Sequence, residues 1–192
     1  MIGGQAVKKY LFPNFKWHSW LLALIIIGGV LCGAIAAYIL DPVTCSELGQ
    51  GLAALSPNAD GRELYFNILK ANSSELLKIY FFGLCLPGVL LLIGYLFFKS
   101  FSLGFLALFI LRANPWPSFS AAIGAVLVPQ ILFFPLLVAA ASLMFQMSLL
   151  IFYLNKQELL KEILAKSAIM LIILLICALV SLISSGLVIK LF

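Results

Sequence analysis

The sequence predicts an all-α protein: a polytopic transmembrane helical bundle of about five spans, folded as a single membrane domain over residues 1–192. Two observations support this prediction. Hydrophobic residues make up 64% of the chain and charged residues only 10%, whereas soluble domains are about 45–50% apolar and about 25% charged. The apolar residues also fall in runs close to the roughly 20 residues that a helix needs to cross a bilayer. Membrane lipid is therefore the first partner that we expect, and a soluble enzyme is excluded.

The first apolar run, residues 21–40, is long enough to cross a membrane without help from its flanks. The segment before it, residues 1–16, has three lysines and no acidic residue, so the positive-inside rule places it in the cytoplasm. Small residues recur at every fourth position of the run, as Gly29, Gly33 and Ala37. Because this spacing lets another helix approach closely, we expect a helix-packing face here.

The segment 41–75 is the only sizeable polar stretch, and it holds five of the seven acidic residues. After Asp60 its apolar positions follow helical spacing, which predicts an amphipathic segment on the extracytoplasmic side of the membrane. Such a helix can lie flat on the bilayer or on the bundle. Alternatively it forms a docking surface, for which Tyr65, Phe66 and Leu69 are the candidate anchors.

The centre of the chain is apolar but repeatedly interrupted. We predict a second span at residues 76–98, with a kink near Pro87 and an end at Lys99. The apolar run that follows, up to Arg112, has only about eleven residues and is too short to span alone. Helix breaks in lipid persist only where they are buried in protein or line a cavity. The predicted broken-helix core consists of Arg112, Asn114, Pro115, Pro117, Pro129, Gln130 and Pro135.

The C-terminal part predicts a cytoplasmic amphipathic helix at residues 155–167, followed by a last span at 168–191. With five spans, seven Lys and Arg residues lie inside and five outside, which follows the positive-inside rule. If residues 101–117 form a re-entrant hairpin instead, the count becomes six on each side. We therefore expect five spans with a cytoplasmic N-terminus, and the re-entrant hairpin is the alternative.

Several short motifs resemble those of the stage II sporulation protein M family. Its members have an Asn-led polar turn, a Lys-Gly or Asn-Gly pair with a glycine four residues later, and a Pro-led element with a second proline. The matching positions are Asn72, Lys99-Ser100, Gly104-Phe105, and Pro129 to Pro135. Ser100 stands where the family usually has glycine, yet Ser100 and Gly104 keep the small-residue spacing and join the helix-packing residues. Gln130 is the only polar residue between the two prolines, where many members carry His and Glu.

The resemblance implies a non-enzymatic membrane scaffold that localises peptidoglycan-degrading proteins during septal wall remodelling and engulfment in sporulation. It places the chain in the bacterial cytoplasmic membrane and implies extracytoplasmic peptidoglycan hydrolases as partners. We also expect a homo-oligomer. The family's fold looks similar to the membrane domains of ABC-2-type exporters, although a shared fold does not decide function.

The alternative function is that of a permease-like subunit of a transporter that works with a cytoplasmic ATPase. Transport paths in membranes usually contain polar residues, and the sequence predicts few of them at depth: Gln130, Gln146, Ser142 and Asn114. This scarcity favours the scaffold. We expect no enzyme, because Asp/His pairs, GxSxG and HExxH are absent. We expect no cofactor or metal, because no Cys/His cluster occurs, and no nucleic acid, because no basic run is interleaved with aromatic residues.

Overall fold

The computed structural model describes residues 15–40, 61–85, 87–113, 127–151 and 155–191, which form helices without a strand among them. The five helices are α1 (Phe15–Ile39), α2 (Gly61–Leu84), α3 (Gly88–Ala113), α4 (Val128–Leu150) and α5 (Lys156–Leu191). The predicted all-α class is confirmed. Residues 1–14 of the predicted segment 1–16 and residues 41–60 of the predicted segment 41–75 lie outside the described residues, as do Asn114, Pro115 and Pro117.

Four of these helices, α1, α3, α4 and α5, are long and apolar enough to cross a membrane. Helix α2 differs in composition, because its 24 residues include five charged side chains. These are Arg62, Glu63, Lys70, Glu75 and Lys78. The least apolar helix of the chain nevertheless packs against α3, α4 and α5.

The predicted span 76–98, kinked at Pro87, is wrong. The structure has a hairpin there instead: α2 ends at Leu84, and α3 begins at Gly88 and runs back along it. The turn is closed by backbone hydrogen bonds from the Cys85 amide to the Phe82 carbonyl, 3.2 Å, and from the Gly88 amide to the Cys85 carbonyl, 3.0 Å. A Cβ at Gly88 would overlap the Phe82 carbonyl oxygen, so only glycine permits this approach.

Contacts along the helices establish an alternating topology. The rings of Phe82 and Tyr95 lie 5.8 Å apart, so α2 and α3 are antiparallel. Hydrogen bonds from α2 to positions 181 and 167 of α5 make that pair antiparallel as well. Helix α4 runs with α2, since Met144 packs on Gly83 and the 133 region lies beside Glu75. Helices α1, α3 and α5 therefore point one way, and α2 and α4 the other.

Three other predicted breaks are also absent. Lys99 does not end a span, and the short run up to Arg112 is the second half of the 26-residue helix α3. No new helix starts at residue 76, because α2 runs without a break from Gly61 to Leu84. The predicted helix 155–167 is the first part of α5, which is 36 residues long. In each case polar or charged residues predict a helix boundary, whereas tertiary packing keeps the helix continuous.

The helices pack as two groups. Helices α1 and α3 lie side by side in close contact, and we call them the α1–α3 pair. Helices α2, α4 and α5 share most of the buried core, and we call them the three-helix bundle. The two groups meet where α3 lies against α2 and α4.

Candidate functional site

A partly open pocket of about 180 Å³ lies where α2, α3 and α4 meet. Four polar side chains line it, and we call them the pocket cluster: Asn72, Glu75, Lys99 and Gln130. The rest of the lining is mostly apolar and includes Leu103, Phe133 and Leu137. A cavity with mostly apolar walls and a few converging polar groups is the usual form of a small-molecule site.

The charged residues of the pocket lie about halfway along their helices. At 1.5 Å per residue, Glu75 is about 21 Å from the start of the roughly 36 Å long α2, and Lys99 is about 17 Å from the start of α3. The hydrocarbon core of a bilayer is about 30 Å thick. Ionisable side chains at this depth are energetically costly, and they usually mark ligand, ion or proton sites.

The hairpin turn brings these two charges together. Glu75 lies twelve residues before Pro87, and Lys99 lies twelve residues after it. In an antiparallel pair, residues equally far from the turn lie at the same level. The Lys99 Nζ atom donates a hydrogen bond to Glu75 Oε1, and about a fifth of each side chain remains exposed (23% for Lys99, 19% for Glu75).

The second carboxylate oxygen of Glu75 is the unusual atom of the site. Oε2 is buried and has no hydrogen-bond partner among the described residues. Leaving a buried charged acceptor unmatched is costly, so native structures nearly always provide a donor, either from the protein or from a bound molecule. The site therefore has unused capacity to accept a hydrogen bond.

Asn72 connects the pocket to the rest of the bundle. Its amide nitrogen donates to Ser181 Oγ on α5 at 3.2 Å. Asn72 is only 9% exposed, and Ser181 is fully buried. A hydrogen bond between buried side chains fixes the rotation of α2 against α5, and with it the direction in which Glu75 points.

A second polar cluster lies toward the α2–α3 turn and consists of Tyr80, Gln146, Lys166 and Ser167. Ser167 Oγ donates to the Ile163 carbonyl at 2.7 Å, so Tyr80 is the donor in its 2.8 Å bond to Ser167. Lys166 Nζ donates to the Leu143 carbonyl at 3.4 Å and lies 3.5 Å from the Gln146 amide oxygen.

Between the two clusters lies an apolar layer in which every side chain is buried: Leu76, Ile79, Leu137, Ile173 and Cys177.

The predicted helix-packing residues lie between α1 and α3. An added Cβ at Gly33 would overlap the Phe101 carbonyl and lie 2.8 Å from the Phe105 amide nitrogen, and one at Gly29 would lie 2.7 Å from the Phe97 carbonyl oxygen. A Cβ at Gly104 would overlap the Val30 carbonyl oxygen of α1.

Ser100 and Ala37 are fully buried in the same region, so the face is dry. The two backbones approach so closely that none of the three glycines has room for a methyl group.

The residues of the predicted broken-helix core have different roles. Arg112 lies away from the pocket and donates to the carbonyls of Ala37 (2.9 Å), Tyr38 and Leu40 (3.4 Å) at the end of α1. Its guanidinium also lies over the Tyr38 ring, 5.3 Å from the centroid. Arg112 thus supplies donors to carbonyls that a helix end leaves unpaired.

The described prolines of the predicted broken-helix core lie in α4. Pro129 is in its first turn, where proline costs no hydrogen bond, and Pro135 lies inside the helix. Pro129 and Gln130 both line the pocket. Asn72 and Lys99 line the same pocket, so residues far apart in the sequence meet there.

The candidate docking residues lie in the first turns of α2. The Phe66 side chain is 56% exposed, whereas Tyr65 and Leu69 are half-buried. The Tyr65 and Phe66 rings pack edge to face with centroids 5.4 Å apart. Of the three, Phe66 offers the most accessible surface.

Sequence reasoning missed Glu75 as a functional residue and placed Lys99 at a boundary. A signal existed in the two opposite charges at equal distances from the Pro87-Gly88 turn. Comparison of the chain with protein-family models, with curated proteins and with solved structures finds no match. The described residues also hold no group of three or more His, Cys, Asp or Glu side chains that could bind a metal.

Proposed function

We propose that the protein is a permease-like membrane subunit whose pocket between α2, α3 and α4 binds a small polar solute during its passage. The observation that supports this most is the Glu75–Lys99 pair, which lines the pocket halfway along helices of membrane length. The sequence alone favoured a scaffold because polar residues at depth were scarce. Asn72, Glu75 and Lys99 remove that scarcity.

A purely structural role accounts less well for this pair. An ion pair that only holds helices together is favourable when all of its polar atoms are matched, and replacement by apolar residues is otherwise often neutral or stabilising. Here Glu75 Oε2 is unmatched among the described residues, and the pair borders a cavity. Both features fit a group that exchanges partners when a solute enters.

The arrangement of polar groups along the bundle also fits a pathway. The pocket cluster extends from Gln130 at the start of α4 to Glu75 and Lys99 about halfway along α2 and α3, and the second polar cluster lies toward the α2–α3 turn. The apolar layer separates them and would keep the pathway closed in this conformation. With the predicted orientation of the chain in the bacterial cytoplasmic membrane, N-terminus inside, the Gln130 end of the pocket belongs to the extracytoplasmic half.

A cytoplasmic ATPase would be the energy source in this proposal. The first turns of α5 expose Lys156, Glu158 and Lys161 at the end of the bundle opposite the pocket. In the predicted orientation these charged side chains face the cytoplasm, where such a partner would dock.

Substituted-cysteine accessibility tests the pathway directly. Single cysteines are placed at Gln130, Leu76 and Ser167 in a background without the native cysteines, and each protein is treated with an impermeant thiol reagent from either side of sealed vesicles. We expect Gln130→Cys to react from the pocket side, Ser167→Cys from the opposite side and Leu76→Cys from neither.

Leu175→Cys is the control, because Leu175 is 70% exposed on a membrane-length helix and should face lipid, out of reach of the reagent. A Gln130→Cys protein that reacts from neither side would show a sealed pocket and would contradict the permease proposal.

The second candidate is the scaffold for peptidoglycan-degrading proteins, with other copies of the chain as further partners. The exposed ring of Phe66 favours it, since aromatic anchors at interface centres often contribute about 2 kcal/mol or more to binding. Phe66→Ala should release a wall hydrolase while the protein still accumulates in the membrane. Phe81→Ala is the matched control, because Phe81 is equally exposed (61%) near the other end of α2. A hydrolase that stays bound to Phe66→Ala would remove this surface from consideration.

A further inference from the structure

The pocket offers a matched pair of opposite charges rather than a charge of one sign. Glu75 contributes one carboxylate and Lys99 one ammonium, and the other polar lining groups, Asn72 and Gln130, are neutral amides. An ion that enters alone would leave one charge of the site in excess. Because an uncompensated charge is very unfavourable away from water, such a site disfavours free cations and free anions alike.

Both charges also retain hydrogen-bonding capacity. Glu75 Oε2 is a buried acceptor without a partner in the described part of the chain. An ammonium group has three donors, and one of those on Lys99 is used on Glu75 Oε1. A molecule that carries both an ammonium and a carboxylate can match both groups at once.

The remaining wall of the pocket is apolar and aromatic. Leu103, Phe133, Phe134 and Leu137 line the pocket beside the pocket cluster. A pocket that offers both polar groups and apolar lining suits a solute with one charged end and one hydrophobic end. The volume of about 180 Å³ holds roughly six water molecules, or one amino acid of about the size of leucine.

We propose that this pocket binds a small apolar zwitterion of the amino-acid type. Its ammonium group donates to the Glu75 carboxylate, its carboxylate accepts from Lys99 Nζ, and its side chain lies against Phe133 and Phe134. The inference rests on the proposed function only in assigning the pocket a solute, and it holds for a binding site with or without transport.

Three probes that share the same side chain but differ in charge test this inference. Leucine is a zwitterion, leucinamide is a cation, and 4-methylpentanoate is an anion. Binding to the purified full-length protein is measured by calorimetry and by the shift in melting temperature, with sodium chloride and inorganic phosphate as further probes. We expect leucine to bind about tenfold more tightly than either singly charged analogue, because only leucine compensates both charges.

Removal of one charge from the pocket should change which probe binds most tightly, and the direction depends on the charge that remains. Lys99→Met leaves Glu75 alone and should favour leucinamide, whereas Glu75→Gln leaves Lys99 alone and should favour 4-methylpentanoate. The matched controls are Lys70→Met and Glu63→Gln, which remove the same charges from exposed positions of α2 and should keep the preference for leucine. Size-exclusion chromatography verifies folding, and the wild-type probe series stands even if a pocket variant fails to fold.

Several results would overturn the inference. These are equal binding of leucine and leucinamide, a shift produced by sodium or phosphate alone, and no binding of any probe by the wild-type protein. The outcome is separable from that of the permease proposal. Leucine binding without cysteine accessibility at position 130 would refute transport and keep the zwitterion site, and the reverse result would refute the zwitterion and keep the pathway.

Discussion

The two long faces of helix α3 differ in how closely they pack and in how polar they are. Toward α1 it presents Ser100 and Gly104, and toward the pocket it presents Lys99 and Leu103, so each face repeats at four-residue spacing one position apart. The first face is dry and has no room for a single methyl group at Gly104. The second face borders a cavity of about 180 Å³ and contains the partly buried charge of Lys99.

The difference shows how one helix can separate stability from binding. Close backbone approach gives the α1–α3 pair many van der Waals contacts, which are the main attraction between helices in lipid. The pocket face lacks those contacts and contains groups whose burial is costly. We infer that the α1–α3 face maintains the fold, while the pocket face is available for a solute.

The largest loss of stability should follow from Gly33→Leu in α1. The new side chain would meet the Phe101 backbone, which cannot move aside as a flexible side chain could. We expect a loss of roughly 3 kcal/mol or more in the free energy of unfolding, measured by denaturant titration in detergent. Gly28→Leu is the matched control, because nothing lies within 4 Å of a Cβ there. Equal stability of both variants would show that this face does not pack as described.

Removal of one charge from the pocket should have the next largest effect. Breaking a buried ion pair typically costs about 3–5 kcal/mol, and we expect roughly 2 kcal/mol here because a fifth of each side chain is exposed. Glu75→Gln and Lys99→Met should each show this loss. The double variant should lose less than the sum, since it leaves no unpaired charge. Strictly additive losses would indicate that the two side chains do not interact.

A smaller effect is expected at the hydrogen bond between α2 and α5. Asn72→Ala removes the donor to the buried Ser181 hydroxyl and should cost about 1 kcal/mol. It should also weaken solute binding in the pocket, because the rotation of α2 positions Glu75. Asn67→Ala, on the exposed side of the same helix, is the control and should change neither quantity. A stability loss at Asn72 without any change in binding would separate this residue from the site.

The smallest effect should be that of Arg112→Lys. Lysine keeps the charge but cannot reach several carbonyls at once with a planar group. Because Arg112 is exposed, we expect a loss below about 1 kcal/mol and no change in solute binding. Hydrogen exchange at the end of α1 should increase, since the carbonyls of Ala37 and Tyr38 lose their donor. Unchanged exchange there would show that the contact does not hold the helix end.

The two faces also differ in how far sequence could predict them. The spacing of Gly29 and Gly33 is a local pattern within one helix, so the pattern is visible without knowledge of the fold. The pocket depends on where the chain reverses. A 23-residue apolar run with a central Pro87 fits a kinked span as well as a hairpin by length and hydropathy, and the choice depends on tertiary contacts such as that of Gly88 with the Phe82 carbonyl.

The roles of the polar residues of α2 could not be predicted for a related reason. Asn72 and Glu75 match the start of a helix, because capping side chains and buried hydrogen-bonding side chains are of the same types. Only the packing of α2 against α5 and α3 distinguishes the two roles, and packing is not encoded at a fixed spacing in the sequence. The all-α class and the first span could therefore be predicted, whereas the helix boundaries and the residues that meet at the pocket could not.

The hairpin and the pocket both depend on the contact between Glu75 and Lys99, and carbodiimide cross-linking measures this contact directly. A membrane-permeant carbodiimide activates the carboxylate, and a neighbouring lysine amine then displaces the urea to form an amide bond without a spacer. In a straight span these residues would be about 36 Å apart, so no such bond could form. From the hairpin we expect an intramolecular Glu75–Lys99 amide, which mass spectrometry identifies and which is absent from Lys99→Met. Activation of Glu75 followed only by reaction with an added amine or with Lys78 would contradict the hairpin and the site built on it.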